Sequence, residues 1–272
     1  MQTRGRGLRA LDYLWGGWGV AASLLLLIAL WEAGHAAYGT LVLPSPRDSF
    51  AALWKLAEAG RMLPAIWDTS INALGGFAAA SVAGGLLGVL AGASDMMRRL
   101  LQPIATLMLG IPAIAWVVLS LLWFGGTGFA VSFTVLVTTA PIVFAGSAQG
   151  MRTLDGALKR MAQSFRAPWP VLAWDVYLPH MLSYLFPALA TALALSWKVT
   201  VMAELLSGSG GIGDGLATAR VQVDTIKAMA WVVTVVGLLL IVEYLLLEPV
   251  RRHLQVWRRA MPGAGPSATA GF

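Results

Sequence analysis

The sequence predicts an all-α polytopic membrane protein with six transmembrane helices. Of its 272 residues, 58% are hydrophobic and only 12% are charged, and the mean hydropathy is +0.72. A soluble domain carries about 25% charged residues, so this chain has too little polar surface for a water-soluble globule of its size. Apolar runs of about 20 residues favour helices over strands in a bilayer, because a helix satisfies its own backbone hydrogen bonds.

Six apolar segments are long enough to cross a bilayer. They are residues 16–34, 70–92, 103–122, 129–149, 183–206 and 228–247. The first segment resembles a secretory signal peptide, but the hydrophobic remainder of the chain favours an uncleaved first span. The third, fourth and fifth segments contain Pro112, Pro141 and Pro187, each of which should kink or break its helix.

The distribution of Lys and Arg predicts that both termini lie in the cytoplasm. Residues 1–15, 93–102, 150–182 and 248–272 hold 13 of the 19 basic residues, the opposite side holds five, and Lys198 lies inside a span. Loops on the cytoplasmic side of a membrane carry an excess of basic residues. The net charge of +6 is therefore explained by orientation, and we expect no nucleic-acid partner.

The regions between and beyond these spans complete the predicted organisation. An outer segment, residues 35–69, contains an amphipathic stretch in which Ser45-Pro46 begins a short surface helix. In that helix Phe50, Leu53, Trp54 and Leu56 form the apolar face. The remaining predicted regions are a cytoplasmic N-terminus (1–15), a first helix (16–34), a five-helix core (70–248) and a cytoplasmic tail (249–272) with a disordered end.

The second span carries small residues at every fourth position. Such a stripe lets another helix backbone approach closely, although apolar helices are often rich in Gly and Ala without any special role. Five consecutive positions favour a packing stripe, and they are Gly76, Ala80, Gly84, Gly88 and Gly92.

The longest predicted cytoplasmic loop, residues 150–182, has the pattern of a helix–turn–helix. Leu158, Met161, Ala162 and Phe165 fall on one face of a helix. A Pro-Trp-Pro sequence then stops that helix before a second short one. An apolar face outside the bilayer needs either a protein partner or the membrane bundle to cover it.

This loop resembles the EAA loop of permease subunits in ABC importers. Arg160, Met161 and Ala162 occupy the Glu-Ala-Ala positions, Arg166 occupies the Gly position, and Leu178-Pro179 matches the end of the pattern. Arg replaces the usual Glu and Gly at two of these positions. The resemblance implies that the loop couples the chain to an ATPase through Leu158, Arg160, Met161, Ala162, Phe165, Arg166, Leu178 and Pro179.

Other segments resemble the nitrate, sulfonate, taurine and bicarbonate branch of this family. They are Leu43-Pro44-Ser45-Pro46, residues 111–116, residues 122–125, Ser196-Trp197-Lys198, residues 203–206 and residues 210–213. The resemblance implies the type I importer fold in a bacterial inner membrane. It also implies a second permease copy, two cytoplasmic ATPases that bind ATP and Mg, a periplasmic solute-binding protein, and a small anion as solute.

The sequence shows no catalytic or metal-binding motif. A phosphate-binding loop needs Gly-Lys, but none of the four lysines follows a glycine. The three histidines are widely separated and there is no cysteine, so we expect no metal, no cofactor in this chain and no enzyme activity. The alternatives from other classes are a stand-alone carrier or channel and a membrane-embedded enzyme.

The fifth span contains two charged residues, Lys198 and Glu204. They lie six residues apart, about 240° around a helix, so they do not pair directly. Lys198 either attracts an anion in the translocation path or pairs with Glu243 of the last span, whereas Glu204 lies near the outer end and is expected to be solvated. The candidates for the translocation path are Trp116, Trp197, Lys198, Met202 and Glu204.

Overall fold

The chain folds into helices throughout the part that a computed structural model describes, which is residues 6–153, 174 and 177–247. In chain order the helices are α1 (Arg6–Tyr38), α2 (Pro46–Glu58), α3 (Met62–Ala93), α4 (Asp95–Gly110), α5 (Ala113–Phe124), α6 (Gly128–Arg152), α7 (Leu178–Ser207), α8 (Gly211–Val221) and α9 (Thr225–Ile241). A π-helical turn, Val242–Leu247, continues α9.

Four of these helices are long and apolar enough to cross a membrane. They are α3, α6, α7 and α9 with its extension to Tyr244, and the bent pair of α4 and α5 raises the number to five. The polytopic helical class predicted from composition is therefore confirmed. The first predicted span lies within α1, whose described apolar part, Ala22–Tyr38, is shorter than a complete span.

The predicted third span, residues 103–122, is broken at Pro112, and this confirms the expectation that this proline kinks or breaks its helix. This segment is divided between α4 and α5, whose axes differ by 97°. Ile111 has extended backbone angles (φ −81°, ψ 125°), as expected for a residue that precedes proline, because the ring of Pro112 disfavours the helical conformation before it. By contrast, Pro141 and Pro187 lie inside the continuous helices α6 and α7.

The centre of the bundle is formed by α3 packed closely along α6. A Cβ atom added at Gly76 would lie 2.5 Å from Val135 Cβ, and one added at Gly88 would lie 2.5 Å from Phe144 O. Ala80 and Gly84 are buried in the same contact, and Gly92 faces Met151 at the end of the helices. The stripe of small residues on α3 thus lies against the backbone of α6.

Helix α2 is held at the other end of the bundle. Ser45 caps it by accepting a hydrogen bond from Asp48 N at 3.0 Å, and Leu53 and Leu56 pack with Ile212 and Trp231. The other two residues of the predicted apolar face are exposed, since Phe50 is 49% and Trp54 66% accessible. The face is divided because α2 contacts the bundle along only one side.

Residues 1–5, 154–173, 175–176 and 248–272 lie outside the described residues, and two of these segments carry predictions named above. The first contains the predicted coupling positions Leu158, Arg160, Met161, Ala162, Phe165 and Arg166. The second is residues 248–272, which contain the predicted cytoplasmic tail.

Candidate functional site

Helix α7 separates two polar environments because Lys198 and Glu204 lie on different sides of it. Lys198 is exposed, whereas Glu204 is completely buried, with 0% accessibility. The two side chains make no ion pair with each other among the described residues. This separation agrees with the helical phase of about 240° expected from their spacing.

The carboxyl group of Glu204 joins three helices. Thr69 Oγ1 of α3 donates to Glu204 Oε2 at 2.8 Å, and Gly213 N of α8 donates to the same oxygen at 3.1 Å. Asn72 Nδ2, also on α3, donates to Oε1 over a longer 3.4 Å. Thr69 Oγ1 in turn accepts a hydrogen bond from Ile212 N at 2.9 Å. Glu204 therefore fastens the start of α8 to α3, and the expectation that it is solvated is wrong.

The glycine-rich turn after α7 is shaped around this carboxyl group. Gly208, Gly210 and Gly211 have positive φ angles of 64°, 90° and 85°. A Cβ atom at Gly211 would overlap the carboxyl group of Glu204, and one at Gly213 would lie 2.6 Å from Glu204 Cβ. The turn thus has left-handed backbone angles and also brings its backbone against the Glu204 side chain, and glycine permits both. The buried carboxyl also lies at the N-terminus of α8, where the helix dipole favours negative charge.

Trp197 lies on the buried side of α7. It is 4% accessible and packs with Ala73 and Val242. Its indole Nε1 is buried without a hydrogen-bond partner. The structure therefore places Trp197 in the packing of a single subunit, between α3 and α9.

Lys198 is exposed beside this packed region. Thr191 and Pro187 are also exposed on α7, and their spacing of 7 and 11 residues from Lys198 places all three along one side of the helix. The ion pairs within the described part of the chain are Asp95–Arg98 and Asp224–Lys227. The alternative pairing of Lys198 with Glu243 is consequently not formed in the structure.

The other two path candidates are partly buried. Met202 packs against a cluster formed by Val117, Val131 and Ala203, where α5, α6 and α7 meet. Trp116 is also on α5, and its Nε1 is buried without a partner. Of the five path candidates, all of which lie among the described residues, Lys198 alone is exposed.

The two ends of the predicted coupling loop lie next to each other. Thr153 Oγ1 and His180 Nε2 are 3.2 Å apart, and Gly150 at the end of α6 faces Tyr184 and Met181 on α7. Leu178 and Pro179 form the first turn of α7, where both are exposed. The loop therefore leaves and re-enters the bundle at one place.

The described residues offer no group of three His, Cys, Asp or Glu side chains that could hold a metal ion. The buried polar site is difficult to predict from the sequence, because Thr69 and Asn72 lie 135 and 132 residues from Glu204. Thr and Asn three residues apart lie on the same side of an apolar helix. That polar pair, together with a carboxylate at the end of another span, is the pattern from which the contact could have been proposed.

These features define an integral membrane protein with a bundle of apolar helices, one broken span and a polar site at the junction of three helices. The model of the family described as "Binding-protein-dependent transport system inner membrane component" matches residues 84–259, which is more than half of the chain. The chain belongs to this family. It is a permease component of an inner-membrane transport system and not an enzyme, and membership implies an ATPase and a solute-binding protein as partners.

Individual relatives support the same conclusion. The chain is 29% identical over 240 residues to the aliphatic sulfonates transport permease protein SsuC of Escherichia coli (strain K12), covering 87% of this chain and 89% of the relative. It is also 29% identical over 247 residues to the riboflavin transport system permease protein RibX of Chloroflexus aurantiacus, covering 89% and 91%. The resemblance to importer permeases of the sulfonate branch is confirmed.

A solved structure shows the same fold. The chain matches a subunit of the MetNI methionine ABC transporter in inward-facing conformations with a TM-score of 0.58 and 20% identity, over 71% of this chain and 94% of that one. At this identity the similarity supports the permease fold and carries no information about the solute.

Proposed function

We propose that this permease forms, with a second copy of itself, the path by which an ATP-driven importer moves a small organic or inorganic anion. Each copy crosses the membrane six times with both termini in the cytoplasm. Separate ATPase subunits bind ATP and Mg and drive the alternation between outward and inward access. Family membership argues against the stand-alone carrier, channel and membrane-enzyme alternatives.

The exposed Lys198 is the observation that carries this proposal. A charged residue at the centre of a membrane helix costs at least about 2.5–3.5 kcal/mol when it faces lipid, so such residues face a partner or a water-filled cavity. Lys198 has no carboxylate partner among the described residues, and it lies on an exposed side of α7. A second copy that encloses water along this side would remove that cost and place a cation next to the solute.

The sulfonate relative supports an anionic solute, since an alkanesulfonate carries the charge that a lysine attracts. The riboflavin relative has nearly the same identity and coverage, and its solute has a largely uncharged ring system. A transport assay should therefore compare the uptake of small anions with the uptake of riboflavin.

The coupling role belongs to the loop between α6 and α7. The loop ends at Thr153 and His180, whose side chains are 3.2 Å apart. A force on the loop would reach both helices at that point, and α7 carries Lys198. We infer that the ATPase docks on this loop and that its movement tilts α6 and α7 together.

The test is solute uptake by the assembled transporter, with its binding protein, in liposomes that contain ATP. Ethanesulfonate, taurine, nitrate and riboflavin are offered in turn to the wild type, Lys198→Met and Lys198→Arg. We expect uptake of an anion by the wild type, a loss of at least about tenfold in Lys198→Met, and partial uptake in Lys198→Arg because the charge is kept while its shape changes.

Lys227→Met is the matched control, since Lys227 is an exposed lysine whose ion pair with Asp224 lies at the start of α9. It should transport normally. Wild-type uptake of riboflavin alone, or equal uptake by Lys198→Met and wild type, would contradict the proposal. A loss of thermal stability in Lys198→Met that Glu243→Gln restores would instead support the pairing of these two residues.

A further inference from the structure

The bundle contains a cationic cavity at the end where α4 begins and α6 ends. Its volume is about 210 Å³, and it lies between these two helices. The polar side chains that line it are Arg98, Gln102, Thr106, Gln149 and Arg152. No acidic residue is among its lining residues. Asp95 offsets part of the charge of Arg98 from outside the cavity, and Arg152 makes no ion pair among the described residues.

A second cavity adjoins the first and is almost entirely apolar. It has a volume of about 230 Å³ and lies where α3, α4 and α6 meet, with Leu87, Leu101 and Met108 among its lining residues. The two cavities share Ala105, Pro141 and Phe144. A single molecule with a charged end and an apolar end could therefore occupy both.

Arg98 has hydrogen-bonding capacity left for such a molecule. Its Nη2 donates to Asp95 Oδ1 at 2.8 Å, and Asp95 is largely exposed. Its Nε, by contrast, is buried without a partner in the described structure. A buried N–H without an acceptor costs about 1–3 kcal/mol, and an anionic oxygen in the cavity would remove this cost.

We propose that these joined cavities bind an anionic phospholipid, with the phosphate beside Arg98 and Arg152 and an acyl chain in the apolar part. The inference uses the proposed orientation, in which these arginines lie at the cytoplasmic surface. Basic pockets between membrane helices on that side are suited to anionic head groups. A small transported anion has no group to fill the apolar cavity, which favours a lipid over the solute.

The experiment measures lipid binding to the full chain and its associated subunits by native mass spectrometry. The complex is titrated with phosphatidylglycerol and with phosphatidylcholine of identical acyl chains. We expect the wild type to prefer phosphatidylglycerol, and Arg98→Gln and Arg152→Gln each to weaken that binding about fivefold, the effect of one basic residue near an anionic surface.

Three variants of neighbouring residues separate binding from structure. Arg99→Gln removes the same charge from an exposed neighbour that does not line either cavity, and should bind as the wild type does. Asp95→Asn breaks the ion pair but keeps Arg98, so phosphatidylglycerol binding should be equal or stronger. Ala105→Leu fills the junction between the cavities and should weaken both lipids.

Three results would overturn the proposal. They are equal affinity for the two lipids in the wild type, an equal loss in Arg99→Gln and Arg98→Gln, and displacement of the bound phospholipid by millimolar ethanesulfonate. The last result would assign the cavity to the transported anion. Because lipid binding is read without transport, its failure is distinguishable from failure of the path proposed around Lys198.

Discussion

The most informative perturbation of the buried polar site is Glu204→Leu. This change keeps a side chain of similar volume but removes both carboxyl oxygens. Gly213 N–H and the amide of Asn72 then lose their acceptor in a site with 0% accessibility at position 204. The Thr69 hydroxyl has an alternative acceptor in the backbone carbonyl four residues earlier. Thr138 donates to a carbonyl at that spacing in this chain.

The expected cost follows from these lost bonds. A buried donor without an acceptor costs about 1–3 kcal/mol, and the Asn72 contact is long at 3.4 Å, so the two together cost about 2–4 kcal/mol. Each 1.4 kcal/mol is a factor of ten in a population. The turn from Gly208 to Gly213 should therefore open at least about 30-fold more often, which makes this a local change rather than loss of the whole fold.

The chain contains no cysteine, so Ser209→Cys reports on this turn without background. The rate at which a water-soluble thiol reagent labels Cys at this position should rise by about 30-fold or more in Glu204→Leu. Glu204→Gln should raise the labelling rate far less. The glutamine side-chain oxygen keeps one acceptor, and the Asn72 amide can rotate so that its oxygen accepts from the glutamine side-chain nitrogen. Equal labelling rates in all three backgrounds would refute the idea that Glu204 holds the turn.

Three further predictions concern other parts of the molecule. Gly88→Ala should lower the free energy of unfolding by about 1–3 kcal/mol, because the added Cβ would lie 2.5 Å from Phe144 O. Gly85→Ala is the control, since its nearest contact is 4.0 Å away, and it should leave the melting temperature unchanged. Equal losses in the two variants would contradict the close packing of α3 on α6. Hydrogen bonds from Lys227 lower the pKa of the Asp224 carboxyl below its ordinary 3.8. In thermal melts, the wild type should therefore be more stable than Asp224→Asn above pH 3.8, and this difference should disappear as the pH falls through the lowered pKa. A stability difference that does not change with pH would argue against the ion pair. Ala162→Asp should abolish co-purification of the ATPase while the protein remains folded in the membrane, because the resemblance to the EAA loop implies a partner contact at this position and an unpaired buried charge is costly. Normal association would show that the ATPase docks elsewhere.

The apolar runs predicted most of the bundle because a bilayer demands about 20 apolar residues from any helix that crosses it. Four of the predicted spans coincide with α3, α6, α7 and α9. The third corresponds to the bent pair of α4 and α5. Its break at Pro112 was predicted, but hydropathy does not give the angle between the two parts. The sharp bend at Ile111 arises from one residue, Pro112, within a segment that is apolar on both sides of it.

The polar site could be predicted only in part. Helical phase correctly separated Lys198 from Glu204, since both lie on one helix and the angle between them follows from spacing. The partners of Glu204 come from α3 and α8, and the sequence alone does not show which helix faces which. Its position near the end of a span indicated contact with water, but the glycines after α7 fold the chain back over it.

The most direct measurement of the proposed path is the chemical environment of position 198. Lys198→Cys in the cysteine-free chain is treated, in the assembled transporter, with an impermeant hydrophilic thiol reagent and separately with a lipid-soluble maleimide. Ser196→Cys, whose side chain is completely buried, is the matched control. A path lined by residue 198 predicts rapid labelling of Lys198→Cys by the hydrophilic reagent, slowed by the transported anion, and none of Ser196→Cys. Labelling of Lys198→Cys by the maleimide alone would place this side of α7 in lipid and contradict the account.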